Sequence, residues 1–168
     1  MNRITLAAAC ALVAGCALVP RSDSDSLRLA VRGEPAAYTI VIPAEASPSQ
    51  KYAAEELRDF TEKTTGVKLP IATDAAPLPA KAILLGETKY TSALAGRGKS
   101  AADKLGEDGF RLLARPPHLL VMGSPKRGTL YGVYELLERF GGCRWYASWH
   151  TVVPARDAFS VPDDLDDA

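Results

Sequence analysis

The sequence has few residues of the kinds that build disulfides and metal sites. It contains 3 cysteines and 2 histidines in 168 residues. Cys10 and Cys16 lie in or directly after an N-terminal apolar stretch, so Cys143 has no partner and we expect it to be a small buried side chain. His118 and His150 do not have the spacing of a zinc site, and His118 follows two prolines at what we expect to be the surface. We therefore predict no disulfide, no metal and no cofactor.

The sequence also lacks an excess of charge of either sign. It has 20 Lys+Arg against 20 Asp+Glu and a formal net charge of +0. An even balance favours neither nucleic acid nor an acidic polymer as a partner. No G-x-S-x-G motif, internal repeat or low-complexity tract is present. These absences argue against a nucleic-acid-binding protein, a hydrolase with a nucleophile elbow and a repeat protein.

The N-terminus has the pattern of an export signal. The stretch "MNRITLAAACALVAGC" has a basic start and an apolar run too short to span a bilayer, and one interpretation is an ordinary signal peptide cut at small residues. However, "VAGC" at 13–16 resembles the bacterial lipobox, whose cysteine receives a diacylglycerol and becomes the new N-terminus. We predict a signal peptide at 1–15, lipid attachment at Cys16 and a lipidated, flexible tether at 16–26. The resemblance implies an exported protein that is anchored to the membrane of the cell envelope, with the outer membrane expected.

A capped helix is the best-marked element of the chain. Ser47, Pro48 and Gln50 supply an N-cap, a proline at the first helical position and the glutamine of a capping box. Gly66 lies where a left-handed residue ends a helix. Between these ends, one apolar stripe comprises Ala53, Leu57, Phe60 and Thr64. We predict a solvated face, rather than an acid–base pair, for the carboxylates Glu55, Glu56, Asp59 and Glu62.

Short apolar runs predict the strands of a sheet. They are LRLAV (27–31), YTIVIP (38–43), LPIAT (69–73), AILLG (82–86), GFRLLAR (109–115) and HLLVMG (118–123). AILLG is apolar throughout, which predicts a central strand. The last two runs flank two prolines, which predicts a hairpin.

Residues 127–147 are rich in aromatics and glycines, which suits either a ligand platform or a core. A helix with one buried face is predicted by Leu130, Val133, Tyr134, Leu137 and Phe140. Gly132 costs stability in a helix, and a close approach to the sheet would explain its presence. Two glycines end this helix, and CRWYA alternates as a strand with Trp145 on one face and Tyr146 on the other. Most of the aromatic density is therefore predicted to be core.

The loop "GSPKRGT" (123–129) has the glycine spacing of a phosphate-binding loop. Thr129 stands where the lysine of that motif belongs, and Pro125 removes one of the backbone donors that a phosphate cradle needs. Glu107 and Asp108 are adjacent carboxylates, but the glycine after them predicts a turn. We predict no nucleotide site here, and no residue of the chain stands out as catalytic.

The order of these elements and several of their segments resemble a known module. The segments are "YTIVIPAEASPSQKYAAEELRDFTEKTTGVKLPI", "AILLGE", "DGFRLLA" and "RGTLYGVYELLERFGGCRWYA". They resemble the N-terminal domain of bacterial alpha-glucuronidases and the similar module, domain 2-like, of beta-N-acetylhexosaminidases. This resemblance implies an α+β fold with a mixed sheet and two helices packed on one face, similar to zincins without their metal centre.

The resemblance also implies where catalysis takes place. In these enzymes the catalytic carboxylates lie in a (β/α)8 barrel that follows the module, and such a barrel needs roughly 250 residues. We assign the module to residues 27–154 and expect 155–168 to be a polar C-terminal tail, so no catalytic residue is carried over. One local departure is that Trp149 and His150 stand where relatives usually have an acidic residue or a proline.

Two hypotheses about function follow. In the first, the chain is a non-catalytic accessory domain of an alpha-glucuronidase-like glycoside hydrolase in polysaccharide degradation, with a barrel or neighbouring glycan-degrading proteins as partners. In the second, it is a surface module that binds polysaccharide by stacking sugars on Trp145, Tyr146 and Trp149. The candidate glycan or partner surface is Tyr146, Trp149 and His150. A buried Trp145 would favour the first hypothesis, and exposed Tyr146 and Trp149 the second.

The predicted lipid anchor can be tested by cell fractionation. Because the thiol of Cys16 is the acceptor of the lipid, Cys16→Ser should move the protein from the membrane fraction to the soluble fraction. Cys10→Ser, inside the predicted signal peptide, is the matched control and should leave the distribution unchanged. Unchanged membrane association of the Cys16 variant would contradict the prediction.

Overall fold

The computed structural model describes residues 25–96, 105–147 and 149–167. The predicted signal peptide, Cys16 and nearly all of the tether lie outside the described residues. The strands are β1 (Ser26–Val31), β2 (Thr39–Ile42), β3 (Ile71–Thr73), β4 (Ala82–Leu85), β5 (Phe110–Arg115), β6 (His118–Gly123), β7 (Arg144–Ala147), β8 (His150–Val152), β9 (Ala158–Pro162) and β10 (Asp166–Asp167). The helices are α1 (Pro48–Thr65), α2 (Thr91–Ala95) and α3 (Gly128–Leu136), and a π-helical turn at Leu137–Gly141 continues α3.

Six strands form a mixed sheet in the order β10-β5-β6-β4-β2-β3. The neighbouring strands β6, β4, β2 and β3 run parallel to one another, whereas β5 and β10 pair antiparallel. All four residues of β4 are buried in the interior of this sheet, which confirms the predicted central strand. The hairpin of β5 and β6 is also confirmed.

Helix α1 begins and ends as predicted. The Ser47 hydroxyl accepts a hydrogen bond from the Gln50 backbone N–H at 3.2 Å, and the Gln50 side chain accepts one from the Ser47 N–H at 3.0 Å. Gly66 adopts a left-handed φ of 80° and donates its N–H to the Glu62 carbonyl. These contacts satisfy backbone groups that a helix end otherwise leaves unpaired.

Helices α1 and α3 cover one face of the six-stranded sheet. Leu57 and Phe60 of α1 share a hydrophobic cluster with Val133 and with Leu137, the first residue of the π-helical turn. The sheet contributes its inward-facing residues to the same cluster: Ile40, Ile42, Ile83, Leu85, Leu119 and Val121. The predicted α+β fold, with two helices packed on one face of a mixed sheet, is therefore confirmed.

The opposite face of the sheet is also buried. Its cluster consists of Val41, Ala82, Leu84, Ala95, Leu113, Leu120 and Met122. Leu78, Tyr90 and Leu94, from the segment that contains α2, pack against it. Burial on both faces explains why β4, and β6 after His118, are apolar throughout rather than alternating.

Gly132 sets the distance between α3 and the sheet. A Cβ atom at this position would lie 2.7 Å from Cγ1 of Val121 and 3.2 Å from Cβ of Phe110. Both distances are shorter than an ordinary van der Waals contact, so only glycine lets the helix approach β6 and β5 this closely. The predicted reason for a glycine inside this helix is confirmed.

The end of the chain differs from the expected polar tail. Strand β9 pairs antiparallel with β1, and β10 pairs with β5 at the edge of the six-stranded sheet. Phe159 is fully buried and Val161 is 1% exposed. The expectation for residues 155–168 was wrong over the described part, because two apolar residues at alternate positions are enough to bury one face of a short strand.

His118 is a second correction. It was expected at the surface after two prolines, but it is 8% exposed at the start of β6, between β5 and β4. Its Nδ1 atom has no hydrogen-bond partner among the described residues. Burial lowers the pKa of His118 below its ordinary value, because the charged imidazolium loses solvation. His118 is buried because β6 lies inside the sheet, although the prolines next to it in the sequence favour a surface turn.

The packing of α3 can be tested at Leu137, which is 1% exposed. Truncation to alanine removes buried methyl groups that contact the core, so Leu137→Ala should lower the free energy of unfolding by about 2–5 kcal/mol. Tyr131→Ala, on the exposed side of the same helix, is the control and should change stability by less than about 0.5 kcal/mol. Chemical denaturation measures both values, and an unchanged midpoint for Leu137→Ala would show that this side chain is not part of the core.

Candidate binding surface on the β7–β8 hairpin

Strands β7 and β8 form an antiparallel hairpin outside the six-stranded sheet. Arg144 lies opposite Val152 and Trp145 opposite Thr151; the register then shifts between Trp145 and Ala147, and Ala147 lies opposite His150. Successive side chains of a strand point to opposite faces. The hairpin therefore has an inner face, which carries Trp145, and an outer face.

The inner face attaches the hairpin to the helices. The Trp145 ring packs edge-on against Phe60 of α1 and Tyr134 of α3, with ring centroids 5.1 Å and 5.0 Å away. The Tyr134 hydroxyl donates a hydrogen bond of 2.8 Å to the Glu56 carboxylate. Burial, together with this bond, raises the pKa of Tyr134 above its ordinary value. Trp145 thus joins both helices to β7 and is only half-buried itself.

The outer face and the tip present aromatic side chains to solvent. Tyr146 is 69% exposed, and Trp149, in the turn, is 87% exposed. The Tyr146 and His150 rings stack, with centroids 5.5 Å apart and planes at 29°. Val152 is also exposed. The three candidate residues therefore lie on one hairpin, and Tyr146 stacks with His150 rather than with a second large aromatic ring.

Three cationic side chains belong to the hairpin or to segments next to its base: Lys63 of α1, which lies over Phe60, Arg144 of β7, and Arg156 before β9, which lies against Gly142. Burial raises the pKa of the Cys143 thiol, while a contact with Thr64 and the charges of Arg156, Arg144 and Lys63 act in the opposite direction. We refer to Lys63, Arg144 and Arg156 as the basal cations.

The basal cations differ in how they are held. Arg144 donates two hydrogen bonds of 2.7 Å to the carbonyls of Glu138 and Cys143, and its Nε lies 3.6 Å from the Glu138 carboxylate. The Lys63 ammonium lies 4.4 Å from the centroid of the Phe60 ring. The Arg156 guanidinium lies against Gly142, where an added Cβ would be 2.4 Å from Nη2. Within the described part of the chain, Lys63 and Arg156 form no ion pair.

The loop with the glycine spacing of a phosphate site has its amides engaged within the protein. The Gly128 N–H donates to the Glu107 carbonyl at 3.1 Å, and the Thr129 N–H donates to the Ser124 carbonyl at 3.2 Å. Both N–H groups are therefore already hydrogen-bonded at the start of α3. That the loop does not bind nucleotide phosphates stays a prediction.

The two adjacent carboxylates of the preceding turn act as counterions. Hydrogen bonding to Lys126 lowers the pKa of Glu107, and hydrogen bonding to Arg127 lowers the pKa of Asp108. Both side chains are exposed and paired with these cations. A carboxyl group that acts as a general acid at neutral pH needs a raised pKa. The pKa values of Glu107 and Asp108 are instead lowered.

A shallow groove of about 300 Å³ lies at the carboxyl ends of β2, β4 and β6. Its lining consists of Pro43, Glu45, Gln50, Glu87, Gly123 and Pro125. Gln50 holds the first turn of α1, and no aromatic side chain lines the groove.

Among the described residues there is no cluster of three or more His, Cys, Asp or Glu that could hold a metal ion. None of the helices in the described ranges is long and apolar enough to cross a membrane.

A protein-family model described as "Glycosyl hydrolase family 67 N-terminus" matches residues 28–136. The chain belongs to this family. The match ends before the β7–β8 hairpin, which is therefore not covered by the family model.

Individual relatives are much longer than this family member. The chain is 28% identical over 103 residues to "Alpha-glucuronidase A" of Emericella nidulans, and the matched segment covers 60% of this chain and 12% of that protein. A solved family GH115 4-O-methyl-alpha-glucuronidase, described as specific for decorated arabinogalactans, superposes with a TM-score of 0.61 at 19% identity. The superposed segment covers 84% of this chain and 18% of that enzyme. At 19% identity this similarity shows the fold alone. The GH20 beta-N-acetylhexosaminidase of Streptomyces coelicolor A3(2) gives a TM-score of 0.45 at 18% identity, covering 84% and 25% of the two chains.

The structure separates the residues that were considered for the aromatic surface. Trp145 packs against the core cluster that contains Leu137, whereas Tyr146, Trp149 and His150 are exposed. The basal cations were not found from the sequence. They come from α1, β7 and the segment before β9, which are far apart in the sequence.

The two tryptophans allow a direct test of this geometry, since the chain contains only 2. Trp149→Phe should remove most of the fluorescence that acrylamide quenches efficiently, whereas Trp145→Phe should leave it in place. Trp149→Ala should change the free energy of unfolding by less than about 0.5 kcal/mol, and Trp145→Ala should lower it by about 1–3 kcal/mol. Equal quenching of the two single-tryptophan proteins would contradict this arrangement.

Proposed function

We propose that the protein is a non-catalytic accessory domain of an alpha-glucuronidase-like glycoside hydrolase system that degrades polysaccharide. The single observation that carries the proposal is the family match over residues 28–136, to a module named for the N-terminus of glycosyl hydrolases. The chain spans 12% of the curated alpha-glucuronidase that it matches, so most of that enzyme lies outside the shared segment.

Two features of the described residues support a non-catalytic role. Glu107 and Asp108 form ion pairs with Lys126 and Arg127, and their pKa values are lowered rather than raised. The Glu56 carboxylate accepts a hydrogen bond from Tyr134 in the contact that supports Trp145. These carboxylates therefore serve the fold, whereas glycoside hydrolysis requires a matched acid and base on either side of a sugar.

The expected partners are a catalytic (β/α)8 barrel or neighbouring glycan-degrading proteins. The exposed aromatic residues Tyr146 and Trp149 are of the types that contribute most to protein interfaces. Lipid attachment at Cys16 belongs to this proposal, and it would hold the domain at the outer membrane through the tether at 16–26.

A second candidate function is that of a surface glycan-binding module. The observation that favours it is the exposed stack of Tyr146 and His150 beside Trp149, which is 87% exposed. Flat aromatic rings offer contact area to a sugar at a low cost in conformational entropy, because their side chains have few rotatable bonds. Trp145 does not belong to this platform, because its ring packs against the helices.

The non-catalytic role can be tested with the chain lacking its signal peptide and Cys16, residues 17–168. This protein should not hydrolyse aryl glucuronides or aryl N-acetylglucosaminides above the rate of buffer, and it should give a cooperative thermal transition that shows it is folded. Turnover that is abolished by substitution of any single carboxylate of this chain, beginning with Glu45→Gln and Glu87→Gln in the groove, would contradict the proposal. Turnover that a second purification removes would come from a contaminating enzyme.

A further inference from the structure

We propose that the groove at the carboxyl ends of β2, β4 and β6 binds a small organic cation, an amine whose ammonium group lies close to an oxygen acceptor. Glu45 supplies the carboxylate for the ammonium group, and the side-chain amide of Gln50 supplies the donor for the oxygen. The inference goes beyond the proposed accessory role, because nothing in that role requires a small ligand.

The connections between the strands diverge at this groove. Strands β2 and β4 are parallel neighbours. After β2 the chain runs through α1 to β3 on one side, and after β4 it runs through α2 to β5 and β6 on the other side. The two connections also lie on opposite faces of the sheet. In open sheets of parallel strands, ligands bind where neighbouring connections diverge in this way, outside the carboxyl ends of the strands.

The lining of the groove comes from the segments that meet at this point. Pro43 and Glu45 follow β2, Glu87 follows β4, and Gly123 is the last residue of β6. Gln50 comes from the first turn of α1. The groove therefore lies at the position where this type of sheet is most often used for binding.

Gln50 presents a donor without an acceptor to this groove. The Ser47 N–H donates to its Oε1 at 3.0 Å, which fixes the orientation of the amide and leaves Nε2 as its other end. Nε2 lies beside Gly86, where an added Cβ would be only 2.3 Å away. Gln50 is 4% exposed, and Nε2 donates no hydrogen bond to any residue in the described ranges. A buried donor is costly to leave unpaired, so a ligand oxygen that accepts from Nε2 is favoured.

The charge of the groove selects a cation. Among the described residues, its lining contains the carboxylates of Glu45 and Glu87 and no lysine or arginine. Glu45 is exposed and forms no ion pair within the part of the chain that the structure describes. An organic ammonium suits the site better than a metal ion, because Oε1 of Gln50 is engaged and Nε2 is a donor that cannot ligate a cation.

The size of the groove limits the ligand to a small molecule. A volume of about 300 Å³ holds roughly ten water molecules at about 30 Å³ each. An amine with about ten non-hydrogen atoms therefore fills it. No aromatic side chain lines the groove, which argues against a stacked sugar ring as the occupant.

The experiment titrates residues 17–168, which include every described residue, with ω-amino amides from glycinamide to 6-aminohexanamide. Backbone amides are followed by proton–nitrogen correlation NMR, because so small a ligand binds weakly. At least one chain length should give saturable shifts that are largest at residues 44–50 and 86–88. The alkylamine without the amide should bind about two- to tenfold more weakly, since it cannot accept from Gln50. The alkylamide without the amine should bind about two- to fivefold more weakly, since it lacks the charge.

Variants separate the two contacts. Glutamate completes the same capping box as glutamine but has no N–H donor, so Gln50→Glu should keep the melting temperature and lose the preference for the amino amide over the alkylamine. Glu45→Gln should weaken binding of the amino amide about two- to fivefold. Glu55→Gln is the matched control, because it removes an exposed carboxylate of α1 that does not line the groove, and it should leave the affinity unchanged.

Four results would overturn the inference. They are the absence of saturable shifts at residues 44–50, equal binding of the amide without the amine, a preference for the amino amide that Gln50→Glu retains, and an equal loss of affinity in Glu45→Gln and Glu55→Gln. The last result would show adsorption of amines to any exposed carboxylate. The accessory role would survive all four, because it is tested separately by the absence of hydrolysis.

Discussion

The close approach of α3 to the sheet at Gly132 is the constraint on which the rest of the helical layer depends. The missing Cβ lets the helix backbone rest on Val121 and Phe110, at distances that no other residue allows. In this position Val133, Leu136 and Leu137 become fully buried against the same face that α1 covers. The two helices and the sheet therefore share one core. The position of α3 in that core determines where the π-helical turn ends and β7 begins.

The chain leaves this core in a defined direction. The π-helical turn ends at Gly142 with a left-handed φ of 77°, and β7 begins two residues later. Trp145 then packs between Phe60 and Tyr134, which turns Tyr146 outward. Trp145 and Tyr146 are successive residues of β7 and therefore point to opposite faces. The contact of Trp145 with the helices thus places Tyr146 in solvent, so the packing of the core determines which aromatic side chain is exposed.

Local features of the sequence were sufficient to predict much of the fold. The capping box at Ser47, the left-handed Gly66 and the apolar stripe through Leu57 depend only on neighbours in sequence, and the structure confirms them. Tertiary features were not predictable in this way. His118 is buried because β5 and β4 flank it, and residues 155–167 pair with strands far away in the chain. The contact of the Arg156 guanidinium with Gly142 likewise has no signal in net charge or spacing.

Gly132→Ala tests most directly the claim that the approach of α3 determines the hairpin. In an exposed helix this substitution stabilises by about 1 kcal/mol, because alanine is the better helix former. Here the added Cβ should instead lower the free energy of unfolding, and amide hydrogen exchange should become faster at residues 144–147 and 150–152 than in the parent. Gly141→Ala is the control, since a Cβ there would make only ordinary contacts, 3.7 Å and longer. A more stable Gly132→Ala protein with unchanged exchange in the hairpin would contradict the account.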